Sequence, residues 1–129
     1  LAGLQKTAVK IPNLRNTIRN MSGGQRQCVA IARTATFHSK LTIMDEPTAA
    51  LGVQETAQVE NIIRNLKEQG EPLILVSHNM RQVFDLVDRI VVFRRGRIVA
   101  NLNKNETDGQ DVVAYITGAK TGIEYQSAA

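Results

Sequence analysis

The sequence predicts an α/β layer fold built on a largely parallel sheet, and three observations carry that prediction. Two runs, Leu41-Thr42-Ile43-Met44-Asp45 and Leu73-Ile74-Leu75-Val76, are short and apolar, as buried parallel strands are, and the first ends in an acid. Around them, apolar residues recur at the three- and four-residue spacing of amphipathic helices. The resulting order, helix–strand–helix–strand–helix–strand, is the one that layers helices against a sheet.

Residues 1–20 hold Pro12, three asparagines and scattered apolar positions without a sustained period, and read as loop with at most a short helix. At Ser22 the pattern changes. Ser22-x-x-Gln25 is a capping box, and Cys28, Ile31, Ala32 and Ala35 follow at helical spacing. The first strand occupies 41–45. Over 53–69, Val59, Ile62, Ile63 and Leu66 share one helix face, and Gly70 stands where the helix should stop. Leu73–Val76 is the second strand. Asn79 then opens a helix marked by Met80, Val83, Phe84 and Val87. Ile90–Phe93 and Ile98–Leu102 flank Arg94-Arg95-Gly96-Arg97, a strand, tight turn and strand. Thr107-x-x-Gln110 predicts a second capping box, with Val112, Val113 and Ile116 behind it and Gly118 closing the helix. There is no internal repeat and no low-complexity linker.

At 129 residues the chain suits one domain, and 43% apolar against 22% charged residues favours a packed core over disorder. The apolar runs are far too short to cross a bilayer, and no secretory pattern opens the chain. Its single cysteine, Cys28, cannot form an internal disulfide. A soluble, cytosolic domain is the expectation. The chain starts at Leu1 rather than methionine, which suggests a fragment or a processed product. Charge is uneven: residues 1–44 carry seven Lys or Arg and no acid, while the rest holds nine basic and all twelve acidic side chains. A basic first third fits an anionic partner such as nucleotide, nucleic acid or lipid headgroup, and equally a solvated face whose acidic neighbours lie elsewhere.

Three short motifs carry chemistry. Met21-Ser22-Gly23-Gly24-Gln25-Arg26-Gln27 opens a helix, whose first N–H groups and positive dipole end suit an oxyanion. Gly23 and Gly24 would let a phosphate approach the backbone, with Ser22 and Gln25 adding side-chain donors. A plain Ser-capped helix start has the same appearance. Asp45-Glu46-Pro47 ends the first strand, where open α/β sheets bind ligands. Alternation sends the two carboxylates different ways, so that one can hold a hard cation such as Mg²⁺ while the other orients water. A polar turn is the competing explanation. Ser77-His78-Asn79 follows the second strand, and His78 could donate to a transferring phosphoryl group or simply occupy the turn. His38, beside Lys40 in the loop before the first strand, has no such placement and reads as an ordinary turn or cap residue.

The three together converge on nucleotide phosphates. The string SGGQRQ…IAR…LTIMDEPTAALG…LILVSHNM resembles the ATP-binding cassette (ABC) family of ATPases, from about residue 11 to the end. Ser22, Gly23, Gly24 and Gln25 match the family's signature motif, Leu41–Glu46 its Walker B strand with the catalytic glutamate, and His78 its switch histidine. DEPTAALGVQET, SHNM…VFDLVDRIVVFRRGR and VVAYITGA are similar to ATP-binding subunits of bacterial sugar importers of the ribose, xylose and fructose kind. The resemblance implies an incomplete P-loop NTPase-like nucleotide-binding domain with ATP and Mg²⁺ as cofactors. Asp45 would anchor Mg²⁺ through water, Glu46 polarise the attacking water and His78 steady the γ-phosphate. Ser22–Gln25 would hold the nucleotide of a second such domain. It also implies membrane permease subunits as partners, a periplasmic sugar-binding protein indirectly, and a place on the cytoplasmic face of the inner membrane.

The phosphate-cradling loop G-x-x-x-x-G-K-[ST] is absent; Gly118-Ala119-Lys120-Thr121 lacks the second glycine before lysine and follows a helix. Family members carry that loop upstream of the signature, so the expectation is one C-terminal part of a domain over 1–129: a lead-in at 1–20, a core at 21–118 and a tail at 119–129. By the resemblance, the strand of the missing loop would lie between Leu73–Val76 and Ile90–Phe93, leaving a gap in the sheet. Gly52 stands where many family members have an aspartate that reaches across the dimer, and Met21 replaces a more usual leucine. Two other functions remain open at this stage. One is a nucleic-acid-associated ABC-type ATPase, although only Phe37 among five aromatics lies in the basic stretch and no specific nucleic acid is expected. The other is a non-catalytic remnant or interaction module.

Overall fold

The computed structural model describes Arg19, residues 21–34 and residues 40–122. Expectations for residues 1–18, Ala35, Phe37 and His38 and for the end of the tail lie outside the described residues. The chain divides into two compact units at Ser77–His78.

The first unit contains α1 (Gly23–Thr34), β1 (Thr42–Asp45), α2 (Val53–Glu68) and β2 (Leu73–Val76). Helix α1 begins where the capping box places it and buries Cys28 and Ile31. Helix α2 starts from Gly52 in extended conformation and complements its dipole with Glu55 in the first turn and Lys67 in the last. Val59, Ile62, Ile63 and Leu66 form its buried face, as their spacing requires. The helix ends at Gly70, whose φ of 77° needs glycine, with the Glu71 N–H donating back to the Leu66 carbonyl at 3.1 Å. Strands β1 and β2 pair in parallel, from Thr42 opposite Leu73 to Asp45 opposite Val76.

This sheet differs from expectation in one respect. Both runs are apolar on both faces, yet one face only is covered. Met44 is buried, whereas Ile43 is 64% exposed, Ile74 45% and Val76 47%. Among the described residues no third strand pairs with either edge.

The second unit contains α3 (Met80–Leu86), β3 (Arg89–Arg94), β4 (Arg97–Asn103), a 3₁₀ turn at Lys104–Glu106 and α4 (Gly109–Thr117). Asn79 caps α3, accepting from the Gln82 N–H at 3.2 Å. The helix is short, and it buries Gln82, Val83 and Leu86. Val87 lies just past its end. Strands β3 and β4 form the predicted hairpin, with positive φ at both Arg95 (50°) and Gly96 (76°), the pattern of a type I′ turn. Val83, Ile90, Val92, Val99, Ala100 and Val112 make the core, with Phe84 and Tyr115 packed against it.

The second capping box is displaced by one residue. Asp108, not Thr107, caps α4, accepting from the Asp111 N–H at 2.8 Å, and the Thr107 hydroxyl is buried without a partner. A carboxylate is the stronger acceptor at a positive helix end, so the aspartate takes the cap and the threonine is left one position outside. Gly118 ends α4 at φ 87°, and the N–H groups of Gly118 and Lys120 both donate to the Ala114 carbonyl. No helix among the described residues is long and apolar enough to cross a membrane.

Candidate functional site

The start of α1 is built by Ser22 and Gln25 acting on each other. The Gln25 N–H donates to Ser22 Oγ at 3.2 Å, and the Ser22 N–H donates to Gln25 Oε1 at 3.1 Å. The Arg26 N–H reaches the Ser22 carbonyl at 3.0 Å. Two of the four orphan N–H groups of the helix start are thereby satisfied, leaving those of Gly23 and Gly24. Both capping side chains act here as acceptors. The Ser22 hydroxyl proton and the Gln25 amide hydrogens therefore stay available as donors, beside the positive end of the helix dipole. This arrangement can take an oxyanion. The two glycines differ: a side chain at Gly23 would meet open space, whereas one at Gly24 would run into Glu55 of α2.

The carboxylate pair lies at the carboxyl end of β1. Asp45 is the last residue of the strand and is exposed. Glu46 extends the ladder by one bond, its N–H donating to the Val76 carbonyl at 2.9 Å. Its φ is 44°, a left-handed conformation that disfavours any side chain. Such a residue persists only where its surroundings hold it, here the Val76 bond on one side and the Ala49 N–H donating to the Glu46 carbonyl at 3.0 Å on the other. The left-handed step ends the strand geometry at Glu46. Pro47, buried, follows at once. Sequence reading predicted two carboxylates facing different ways, and missed the backbone strain, since nothing in the residue types Asp-Glu-Pro signals a left-handed glutamate.

Among the described residues no cluster of three His, Cys, Asp or Glu side chains is arranged to hold a metal ion. Asp45 alone fits a hard cation that keeps most of its own waters, and does not fit a dedicated protein cage. A cavity of about 210 Å³ lies between α1 and β1, lined by Gln27, Ala30 and Ile31 on one side and Thr42, Ile43 and Asp45 on the other. His78 is the first residue of the second unit and is exposed.

Two other groups resolve by their contacts. Burial, and secondarily the nearby Glu55 charge, pushes the Cys28 thiol up, and its Sγ lies 3.8 Å from Gln58 Oε1. It is a protonated core thiol. Lys120, in the lysine-bearing decoy after α4, bonds Asp111 at 3.0 Å and lies 5.2 Å from the Tyr115 ring centre. The Asp111 bond above all raises its pKa. That lysine, which follows a helix as the sequence indicated, is engaged by two side chains of α4, Asp111 in its first turn and Tyr115 nearer its end.

The ABC transporter family profile matches residues 2–49. The chain is 48% identical over 110 residues to the fructose import ATP-binding protein of Rhizobium meliloti, covering 85% of this chain and 42% of that protein. It is 40% identical over 119 residues to the xylose/arabinose import ATP-binding protein of Sulfolobus acidocaldarius, covering 92% and 47%. A ribose import ATP-binding protein of Burkholderia cenocepacia is 33% identical over 125 residues, covering 97% of this chain and 25% of its own length. The chain thus spans less than half the length of these relatives. In structure it is similar to an ATP-binding cassette of an ABC transporter solved in its ADP conformation, with a TM-score of 0.72 and 25% identity, over 91% of this chain and 48% of that one. It is also similar to a nucleotide-free ATP-binding cassette, with a TM-score of 0.71 and 21% identity, over 91% and 44%.

Proposed function

Because the chain belongs to the ABC transporter ATP-binding family, we propose that it is the signature-bearing part of the ATPase subunit of a carbohydrate importer. The observation that carries this is the end of β1, where Asp45 finishes the strand and Glu46 is held left-handed by the Val76 carbonyl. Residues 1–129 form the C-terminal part of one nucleotide-binding domain. When ATP and Mg²⁺ are bound, the metal neutralises charge on the transferring phosphoryl group. Asp45 would hold its water shell, Glu46 would polarise the attacking water and His78 would donate to the γ-phosphate. Ser22, Gly23, Gly24 and Gln25 offer their donors to the nucleotide of a second domain. The subunit lies on the cytoplasmic face of the membrane, against permease subunits, with a sugar-binding protein on the far side. That the relatives import fructose, xylose, arabinose and ribose supports a monosaccharide as cargo. These relatives lend no support to a nucleic-acid role or to a remnant.

The exposed apolar face of Ile43, Ile74 and Val76 also supports the reading, because a strand face of this kind is ordinarily covered. The test is steady-state ATP turnover by the subunit that joins this chain to a lysine loop. Turnover should fall by on the order of a hundredfold or more in Glu46→Gln, which keeps the shape and removes the charge. Undiminished turnover in that variant would sink the assignment.

A further inference from the structure

Gly24 is buried, although it stands at a helix start that is otherwise largely open. What covers it is Glu55, from the first turn of α2. A side chain added at Gly24 would overlap Glu55 Cγ and come within 2.9 Å of Glu55 Cβ. Neither carbon is the free end of a side chain, so the contact cannot relax by a simple swing. The same residue reaches the other way. Its Oε2 lies 2.6 Å from where a side chain at Gly52 would begin. Glu55 therefore occupies the space that two glycines leave, one in the anion-binding helix start and one in the loop that leads out of Asp45 and Glu46. Gly23, with open space around it, serves no such contact.

We propose that Glu55 is a positioning residue of the ATPase site, a wedge that fixes the start of α1 against the loop following the carboxylate pair. The proposal rests on the ATPase reading above. Its mechanical basis is simple. Glu55 is three residues past Gly52, in the first turn of α2, so a displacement of the 47–52 loop that shifts the helix start carries the side chain with it. Because its methylene lies directly on the Gly24 backbone, the displacement passes to Ser22–Gln25. A purely stabilising role is the alternative, since an acid in the first turn also complements the α2 dipole.

The test uses the subunit carrying this chain with its lysine loop, at a temperature where circular dichroism shows every variant folded. Glu55→Ala, which removes the wedge, should lower kcat by about threefold to tenfold with KM within about twofold, because misplaced groups act on the transition state more than on nucleotide held by the lysine loop. Glu55→Gln keeps the side-chain carbons and should stay within about twofold of wild type. Gly24→Ala should lose on the order of tenfold or more in kcat, and Gly24→Ala with Glu55→Gly should regain most of it, because the added methyl enters the vacated space. Additive losses in that pair would overturn the proposal. So would Glu55→Ala lowering the melting temperature while leaving kcat per folded molecule intact. Wild-type protein without Glu46-dependent turnover would instead remove the ATPase reading on which the proposal stands.

Discussion

At the scale of single residues, the informative positions are those where the backbone or the burial departs from what the side chain prefers. Arg95 is one, with φ at 50° beside Gly96. Asparagine tolerates that conformation better than arginine, and Asn-Gly is the favoured pair for a type I′ hairpin. Arg95→Asn should stabilise the second unit by about 0.5 kcal/mol, read as a higher urea midpoint at unchanged slope; a lower midpoint would contradict the turn assignment. Cys28 is another. Its thiol is pushed up by burial and by Glu55, so the folded protein holds the proton where an unfolded chain has released it. The stability this contributes is fully present below the ordinary thiol pKa and is lost as pH rises through the folded value. Alkylation of Cys28 by iodoacetamide at pH 8 should therefore run well below the rate for a free thiol. Glu55→Gln, which removes the second cause of the shift, should raise that rate. An equal rate in both proteins would show that burial, and not the Glu55 charge, sets the reactivity of the thiol.

Single elements were legible in the sequence to the extent that their signals are local. The box Ser22-x-x-Gln25 forms as written because both partners lie within one helical turn and no better acceptor competes. Thr107-x-x-Gln110 failed for the same local reason, since the adjacent Asp108 offers a charged acceptor. The hairpin and the Gly70 and Gly118 stops follow from glycine's access to positive φ. What the sequence did not disclose is contact between elements. The wedge of Glu55 against Gly24 depends on how α1 and α2 pack, and no periodicity encodes it. Nor did Asp-Glu-Pro announce a left-handed Glu46. The capping box supplies the prediction at this scale. Ser22→Ala removes the acceptor for the Gln25 N–H and should cost about 1 kcal/mol, while Ser22→Asp should lose little, because aspartate caps as well. In the ATPase subunit the two should part from each other's stability ranking. Ser22→Asp keeps the helix but places a negative charge and no donor where phosphate would bind, so turnover should fall further in Ser22→Asp than in Ser22→Ala. Equal turnover in the two would argue that Ser22 is a cap and has no part in anion binding.

At the scale of the whole molecule, the decisive feature is the strand face left open. Leu-Thr-Ile-Met and Leu-Ile-Leu-Val are apolar on both sides, and the chain covers one side. If the open side is covered in the complete subunit, the same substitution must have two different costs. Ile74→Thr keeps a β-branched side chain and removes apolar surface at a position 45% exposed in this chain. In the 129-residue chain it should change stability by no more than about 0.5 kcal/mol, as exposed substitutions do, and should reduce aggregation and dye binding to exposed apolar surface. In the complete subunit it should cost about 2–4 kcal/mol, the sum of lost apolar burial and a hydroxyl left without a partner. The 129-residue chain should also hydrolyse ATP negligibly, because it holds no loop to seat the β- and γ-phosphates and Asp45 and Glu46 have no bound nucleotide to act on. Paired chemical denaturation of both proteins, with and without Ile74→Thr, reads the difference directly. A large loss in both would mean that Ile74 is buried in the isolated chain in solution. A small loss in both would mean that no further segment packs on this face, and the proposal that the chain is one part of a larger nucleotide-binding domain would lose its structural support.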